Sequence, residues 1–207
     1  MIAYGCCVGS WDKFKRYVAR DDRVVLAVSG QTSITKAYNG ILNYFARPEL
    51  VADVDALVLQ HDDLEIIDPN AEEKILRAVA PRDVALAGVA GGSGAQSLAW
   101  WNGTTYGWQR LDSGVLELGP RVGDVELLEG SFLVFSPWAI RRLRFDDAFT
   151  GFHGYDEVAA TAHSLGARVT VTDIDTHHHT QLGFKSAESA TAWAAADELY
   201  RRKWFDK

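Results

Sequence analysis

A chain of 207 residues that is 47% hydrophobic and 24% charged has enough apolar material to fill one core and too much for extended disorder. Its formal net charge of −7 and the lack of a Lys/Arg stripe interleaved with aromatics exclude nucleic acid as an expected partner. No run approaches the roughly 18 apolar residues of a membrane span, and no basic segment precedes an apolar stretch at the N-terminus, so no membrane span is expected and the location read is the cytoplasm.

Taken along the chain, "IAYGCCVGS" predicts a buried strand closing in a Gly-Ser turn, and "WDKFKRYVAR" follows with Trp11, Phe14 and Val18 at helical spacing. Cys6 and Cys7 are the only cysteines. As neighbours in a strand they project to opposite faces, so both read as reduced core residues rather than a disulfide. "RVVLAVSG" predicts a second strand. "SITKAYNGILNYFA" predicts a helix with Ile34, Ala37, Tyr38, Ile41 and Phe45 on one face, ended by Pro48. "DALVLQ", "NAEEKILRAVA" and "DVALAGVAG" continue as strand, helix and strand. Such alternation predicts an α/β fold with a mainly parallel sheet covered by helices.

From Gly91 to Pro120 the pattern gives way to glycine, aromatic and polar residues, where a functional loop or small hairpin is expected. Trp100, Trp101, Tyr106 and Trp108 there offer flat faces suited to a sugar acceptor, or else a satellite core. "VELLEGSFLVFSPWAIRRL" then predicts a strand leading into a short helix, "GYDEVAATAHSLG" a helix closed by Gly166, and "RVTVTDI" another strand. The tail, at about 186–206, reads as an amphipathic helix with Trp193, Ala196, Tyr200 and Trp204 on one face. Its Arg201, Arg202 and Lys203 complement the helix dipole and face solvent. With no repeat and no linker, 1–207 reads as a single domain.

Three polar clusters stand out. "HDD" places His61, Asp62 and Asp63 where a buried strand ends, which is where α/β proteins hold charged ligands; acids there also simply open loops. "TDIDTHHHT" sets His177, His178 and His179 beyond another predicted strand. Carboxylate with imidazole and open positions suits Mn²⁺ or a similar ion. In "FTGFHGYDEVAATAHSLG", Asp156 and Glu157 occupy a first helical turn, where acids also compensate the helix dipole.

The order "GSWDKFKRYV", "SITKAYNGIL", "LVLQHDDLEI", "LLEGSFLVFSPWAIRRLRFDDAFTGFHGYDEVAATAHSLGARVTVTDI", then a His before Thr180, resembles family-2-type glycosyltransferases of GT-A fold. Within them it is most similar to the glycosyltransferase-like subgroup that includes a streptomycin-cluster protein. The likeness runs from Ile2 to about Phe184 and skips the aromatic segment. It implies a mixed, mainly parallel sheet between helices, a nucleoside diphosphate sugar along the first strands, and a divalent cation, Mn²⁺ or Mg²⁺, bridging the phosphates.

Residue by residue, the resemblance puts Asp63 at the usual metal-facing acid, with His61 where the motif has its first aspartate. It favours His178, then His177, as a further metal ligand. Asp156 falls at the catalytic base, with Glu157 beside it. Asn39 matches a recurrent family Asn near the donor, or else bonds only within the fold, and Asp62 is read on the same donor-nucleotide side. From position alone, Gly9 and Ser10 let a nucleotide approach the backbone or form an ordinary turn, and Lys185 closes on a diphosphate or is simply solvated. The expected activity is metal-dependent transfer of a sugar to a hydroxyl of a glycan or small-molecule acceptor, with inversion. Its rivals are a non-catalytic nucleotide-sugar-binding protein and a metal-dependent phosphoester hydrolase.

Overall fold

The computed structural model describes residues 1–20, 23–151, 153–181, 183 and 186–206. The first strand, β1 (Ile2–Val8), is followed by a short helix α1 (Trp11–Lys13) that Ser10 caps and that widens into a π-turn over Phe14–Val18. β2 (Val25–Ser29) precedes α2 (Ile34–Phe45), whose start is capped by the Ser33 side chain and whose buried stripe contains Ala37, Tyr38, Ile41 and Phe45, as the spacing predicts. Pro48 does not simply stop the chain; as an N-terminal helical residue with no N–H to lose, it opens the turn α3 (Pro48–Val51). β3 (Ala56–His61), β4 (Leu64–Ile66), α4 (Ala71–Val79), β5 (Val84–Gly88) and β6 (Ala90–Ser93) come next.

The segment 91–120 is a hairpin rather than a loop. A single 3₁₀ turn at Trp100–Asn102 leads into β7 (Thr104–Leu111) and β8 (Gly114–Glu117). β9 (Gly123–Asp124), β10 (Leu127–Leu128), β11 (Phe132–Phe135), α5 (Pro137–Arg142), α6 (Val158–Ser164), β12 (Arg168–Val171), β13 (Thr176–His178) and α7 (Ala187–Trp204) complete the chain.

Among the described residues the strands form two sheets. The larger runs β2-β1-β3-β11-β5-β12-β9. β1, β2 and β3 are mutually parallel, as are β5 and β12, while β11 inserts antiparallel between β3 and β5. Alternate residues serve opposite faces: Leu57 and Leu59 pack toward α2 and α5, whereas Ala56 and Val58 pack toward Ile75 and Val79 of α4. Both faces are therefore covered, which explains why these strands read as continuous apolar runs.

The second sheet runs β10-β6-β7-β13-β4, with β8 on β7. β4, β6 and β13 follow β3, β5 and β12 after two, one and four residues, so this sheet grows directly from the carboxyl ends of three strands of the first. A crevice at those ends is where an α/β sheet binds its ligand. No helix among the described residues is long and apolar enough to cross a membrane.

The terminal helix is anchored by charge as well as by its apolar face. Lys203 reaches Asp146 at 2.6 Å and Glu157 at 2.9 Å, and Arg201 pairs with Asp197, so these cations hold carboxylates instead of facing solvent only. Asp197, 3% exposed, also accepts from Ser97 Oγ (2.7 Å) and Leu98 N (2.8 Å), tying α7 to the segment before the hairpin. Asp197→Ala strands the buried Leu98 N–H and is expected to cost about 2–3 kcal/mol, seen as a lower urea midpoint at unchanged m-value.

Candidate active site

Between the two sheets lies a cavity of about 500 Å³. His61 and Asp63 enter it from the β3–β4 turn, His178 from β13, Gln109 and Leu111 from β7, Trp100 and Trp101 from the 3₁₀ turn, and His153 and Tyr155 from the loop before α6. Three of the clusters that are far apart in sequence thus meet in one crevice.

Asp63 is 7% exposed and both of its carboxylate oxygens are engaged. His178 Nε2 lies 3.1 Å from Oδ1, and Lys13 donates to Oδ2 at 2.9 Å. Burial alone would raise its pKa, but these bonds from His178 and Lys13 outweigh it and hold the carboxyl well below the usual range. His61 sits on the other side. Its Nε2 is buried and has no hydrogen-bond partner among the described residues, and burial, aided by the neighbouring His178, lowers its pKa to about 4. A neutral imidazole with an unspent nitrogen is a ready metal donor.

One donor atom from each of His61, Asp63 and His178 lies within 4.8 Å of the others. This set fits a divalent transition ion: two neutral-capable imidazoles and one ionised carboxylate leave coordination positions open. Behind them Glu129, 8% exposed, accepts from the Ser131 N–H (3.0 Å) and from the Ser131 hydroxyl. Burial raises its pKa, yet the nearby His178, His61 and His153 hold it below its ordinary value. The pocket therefore carries buried negative charge beyond Asp63.

His61 is a member of this set that the motif comparison treats as a lost aspartate. Its place as the last residue of β3 is the signal that finds it, since position and donor capacity survive the exchange of side chain. His177 is not brought to Asp63. His177 and His178 lie within β13 itself and His179 just beyond it, so successive side chains alternate faces, and His177 points away from the cavity toward Asp112, Glu65 and His179.

Of the residues expected near a donor nucleotide, Asp62 accepts through Oδ2 from the N–H groups of Gly9 (2.8 Å) and Ser10 (2.6 Å), locking the end of β1 to the end of β3. Asn39 has both amide functions on the Phe145 backbone, each at 2.8 Å, which fastens α2 to the loop after α5. Lys185 lies outside the described residues.

Asp156 and Glu157 part company. Both sit in a 3₁₀ turn (Gly154–Glu157) ahead of α6, and both are 1% exposed. Glu157 faces α7, accepting from Trp204 Nε1 (3.2 Å) and Thr161 Oγ1 (3.0 Å) besides its pair with Lys203. Asp156 faces His153, whose Nδ1 is 3.3 Å from Oδ2. Gly130 makes room for this: a Cβ there would stand 2.0 Å from the Tyr155 ring and 2.5 Å from Asp156 Oδ1.

His153, in left-handed backbone (φ 61°), is the member of the pair that lines the cavity, with Asp156 behind it. Burial lifts Asp156 to about 6, partly opposed by His153. Burial would lower His153, but the Asp156 carboxylate outweighs it and raises that imidazole. A strained, carboxylate-backed histidine is a site feature that apolar periodicity could not reveal; the signal was its place three residues before an acid.

The aromatic residues also divide. Trp100 is buried at the cavity wall and Trp101, 43% exposed, stands edge-on to it at 5.7 Å. Trp108 lies instead under the Arg121 guanidinium, 4.2 Å from its ring centre, and is part of the hairpin's packing.

No protein-family model matches the chain. Its fold is shared with A197 from STIV (TM-score 0.59, 13% identity, 87% of this chain and 86% of that one). It is shared too with GalNAc-T7 with UDP, GalNAc and Mn²⁺ (0.60, 9%, 94% and 47%), and with the mannosyltransferase PcManGT from Pyrobaculum calidifontis in complex with GDP-Man and Mn²⁺ (0.54, 11%, 92% and 59%). The chain spans about half of the GalNAc-T7 chain and under two thirds of the mannosyltransferase. The class is thus the GT-A fold, a Rossmann-like mixed sheet between helices. The streptomycin biosynthesis protein StrF of Streptomyces griseus is 31% identical over 220 residues, which covers all of this chain and 75% of that protein. The chain belongs to its family, the glycosyltransferase-like proteins of GT-A fold.

Proposed function

We propose that the chain is a glycosyltransferase that moves a sugar from a nucleoside diphosphate donor to a hydroxyl of a glycan or small-molecule acceptor, with inversion, and that residues 1–207 work as a single domain. The observation that carries this is the His61, Asp63 and His178 set facing His153 and Asp156 across one cavity. The GT-A fold and the nucleotide and Mn²⁺ named with two of the similar structures support it.

His61, Asp63 and His178 would hold a divalent ion, which would supply Lewis-acid stabilisation to a diphosphate leaving group. Lys13, on Asp63 from α1, adds a positive charge at the same edge. The N–H groups of Gly9 and Ser10 and the Asp62 side chain form the floor at the ends of β1 and β3, where the donor nucleotide lies on this reading. His153 accepts the proton of the attacking hydroxyl, and Asp156 fixes the imidazole and stabilises its charge as it forms. A single positioned proton acceptor suits a single displacement, hence inversion.

Screening nucleoside diphosphates and nucleotide sugars by thermal shift, with and without Mn²⁺ or Mg²⁺, tests the reading. At about 100-fold excess over Kd a ligand should stabilise the protein by about 2.7 kcal/mol, and only with the ion present. Sugar phosphate released without acceptor would indicate a hydrolase, and binding with no transfer to any acceptor would indicate a non-catalytic binding protein. Trp101→Ala is expected to raise acceptor KM about threefold to tenfold, as loss of an aromatic face does, with donor binding and melting temperature nearly unchanged.

A further inference from the structure

His177 and His179 lie on the face of β13 opposite His178, with ring centres 3.8 Å apart. His177 Nε2 is 3.1 Å from Asp112 Oδ1, and His179 Nδ1 is 3.3 Å from that same oxygen. His179 Nε2 is 3.3 Å from Glu65 Oε2. One donor atom from each of Glu65, His177 and His179 falls within 4.8 Å of the others. These residues come from β4, from β13 and its next residues, and from the turn between β7 and β8.

We propose that this outer cluster is a second metal site, separate from the cavity, that takes a transition ion of the zinc class. Two imidazoles among carboxylates favour an ion that accepts nitrogen donors, whereas Mg²⁺ and Ca²⁺ prefer oxygen alone. Both ring nitrogens of His179 face carboxylate oxygens, Nδ1 toward Asp112 and Nε2 toward Glu65, so an ion seated there meets imidazole and carboxylate donors together.

The surroundings are built to hold the ligands still. Tyr17, from the π-turn, stacks on the His179 ring at 3.7 Å and 14°. Arg20 holds the other oxygen of Glu65 at 2.9 Å, leaving Oε2 aimed at His179. Such support around ligands sets their orientation. The cluster is half-buried, with side-chain exposures of 23%, 15% and 28% for His177, His179 and Glu65, so an ion can enter from solvent. Its effect is to fasten β13 to β4 and to the hairpin turn from outside, fixing the strand that presents His178 inside.

Untagged protein stripped by a chelator and titrated calorimetrically with Zn²⁺ tests this. The doubly substituted Asp63→Ala, His178→Ala protein isolates the outer site and should still bind one equivalent. Adding Glu65→Gln, which preserves shape, should weaken that equivalent about tenfold or more. His177→Ala with His179→Ala in the otherwise unchanged protein should lose one equivalent relative to the parent. Unchanged stoichiometry in that last protein, or no Zn²⁺ bound by a folded Asp63→Ala, His178→Ala protein, would overturn the site. Because the isolating variant lacks two cavity ligands, its result does not depend on the cavity holding a metal.

Discussion

Asp156→Asn is expected to slow sugar transfer by about two to four orders of magnitude, because it removes the carboxylate that holds His153 ready to accept the proton, while making the protein more stable at neutral pH. Both effects have one cause. The carboxyl lies 1% exposed behind His153, and burial raises its pKa from 3.8 to about 6. Because the fold binds this proton more tightly than the unfolded chain, its contribution to stability is full below about pH 4 and is lost as pH rises through about 6. The neutral amide should remove that desolvation cost at pH 7, offset in part by the lost pair with His153.

His153→Ala should lose transfer to a similar extent, and combining it with Asp156→Asn should cost little more, as expected for groups acting as a unit. Transfer by the parent should decline as pH falls through the His153 value, which the Asp156 carboxylate holds above that of an ordinary imidazole, because only the neutral ring accepts the proton. Glu157→Gln is the contrast: its side chain belongs to the contact with α7, and its rate should stay within a few-fold of the parent. A folded Asp156→Asn protein with parental rate, or a large loss confined to Glu157→Gln, would defeat the pairing of His153 with Asp156 as the proton-accepting unit.

Asp63→Ala should abolish the Mn²⁺-dependent part of nucleoside diphosphate binding. This carboxylate is the one ionised ligand of the cavity set, and a bound ion would be the largest local charge available to a diphosphate. In the thermal-shift assay the stabilisation of about 2.7 kcal/mol at 100-fold excess should disappear from the variant. His61→Ala should reduce metal affinity too, though a motif comparison alone would count it as already lost. Removing Asp63 also frees Lys13, so Asp63→Asn, which retains the shape, serves as the control for folding. Parental affinity for the diphosphate in saturating Mn²⁺ would show that the ion is not held here.

Local chemistry was enough to expose much of the fold. Runs such as "ALVLQH" and "VALAG" must be strands covered on both faces, and Ser33 with the stripe through Ile41 must be a helix laid on them, because burial and capping act within a few residues. The same locality marked Asp63, His178 and Asp156 as polar groups at element ends. Pairing across the chain was not legible. β11 enters antiparallel between β3 and β5, and the aromatic segment forms the hairpin that roofs the cavity, through contacts between residues distant in sequence.

Strand register explains the sharpest difference. Three consecutive histidines look equivalent in a sequence, but once Thr176–His178 pairs with β4 and β7 the alternation of a strand sends His178 inward and His177 outward. Likewise, an acid at a helical start reads as dipole compensation until the fold buries Asp156 against His153, when desolvation outweighs the pull of that imidazole. The sequence by itself determined which segments must bury and which side chains can bind or ionise, since those depend on composition and short-range geometry. The tertiary structure alone decided which of them share a cavity and which protonation states they favour, since distance and dielectric are properties of the packed chain.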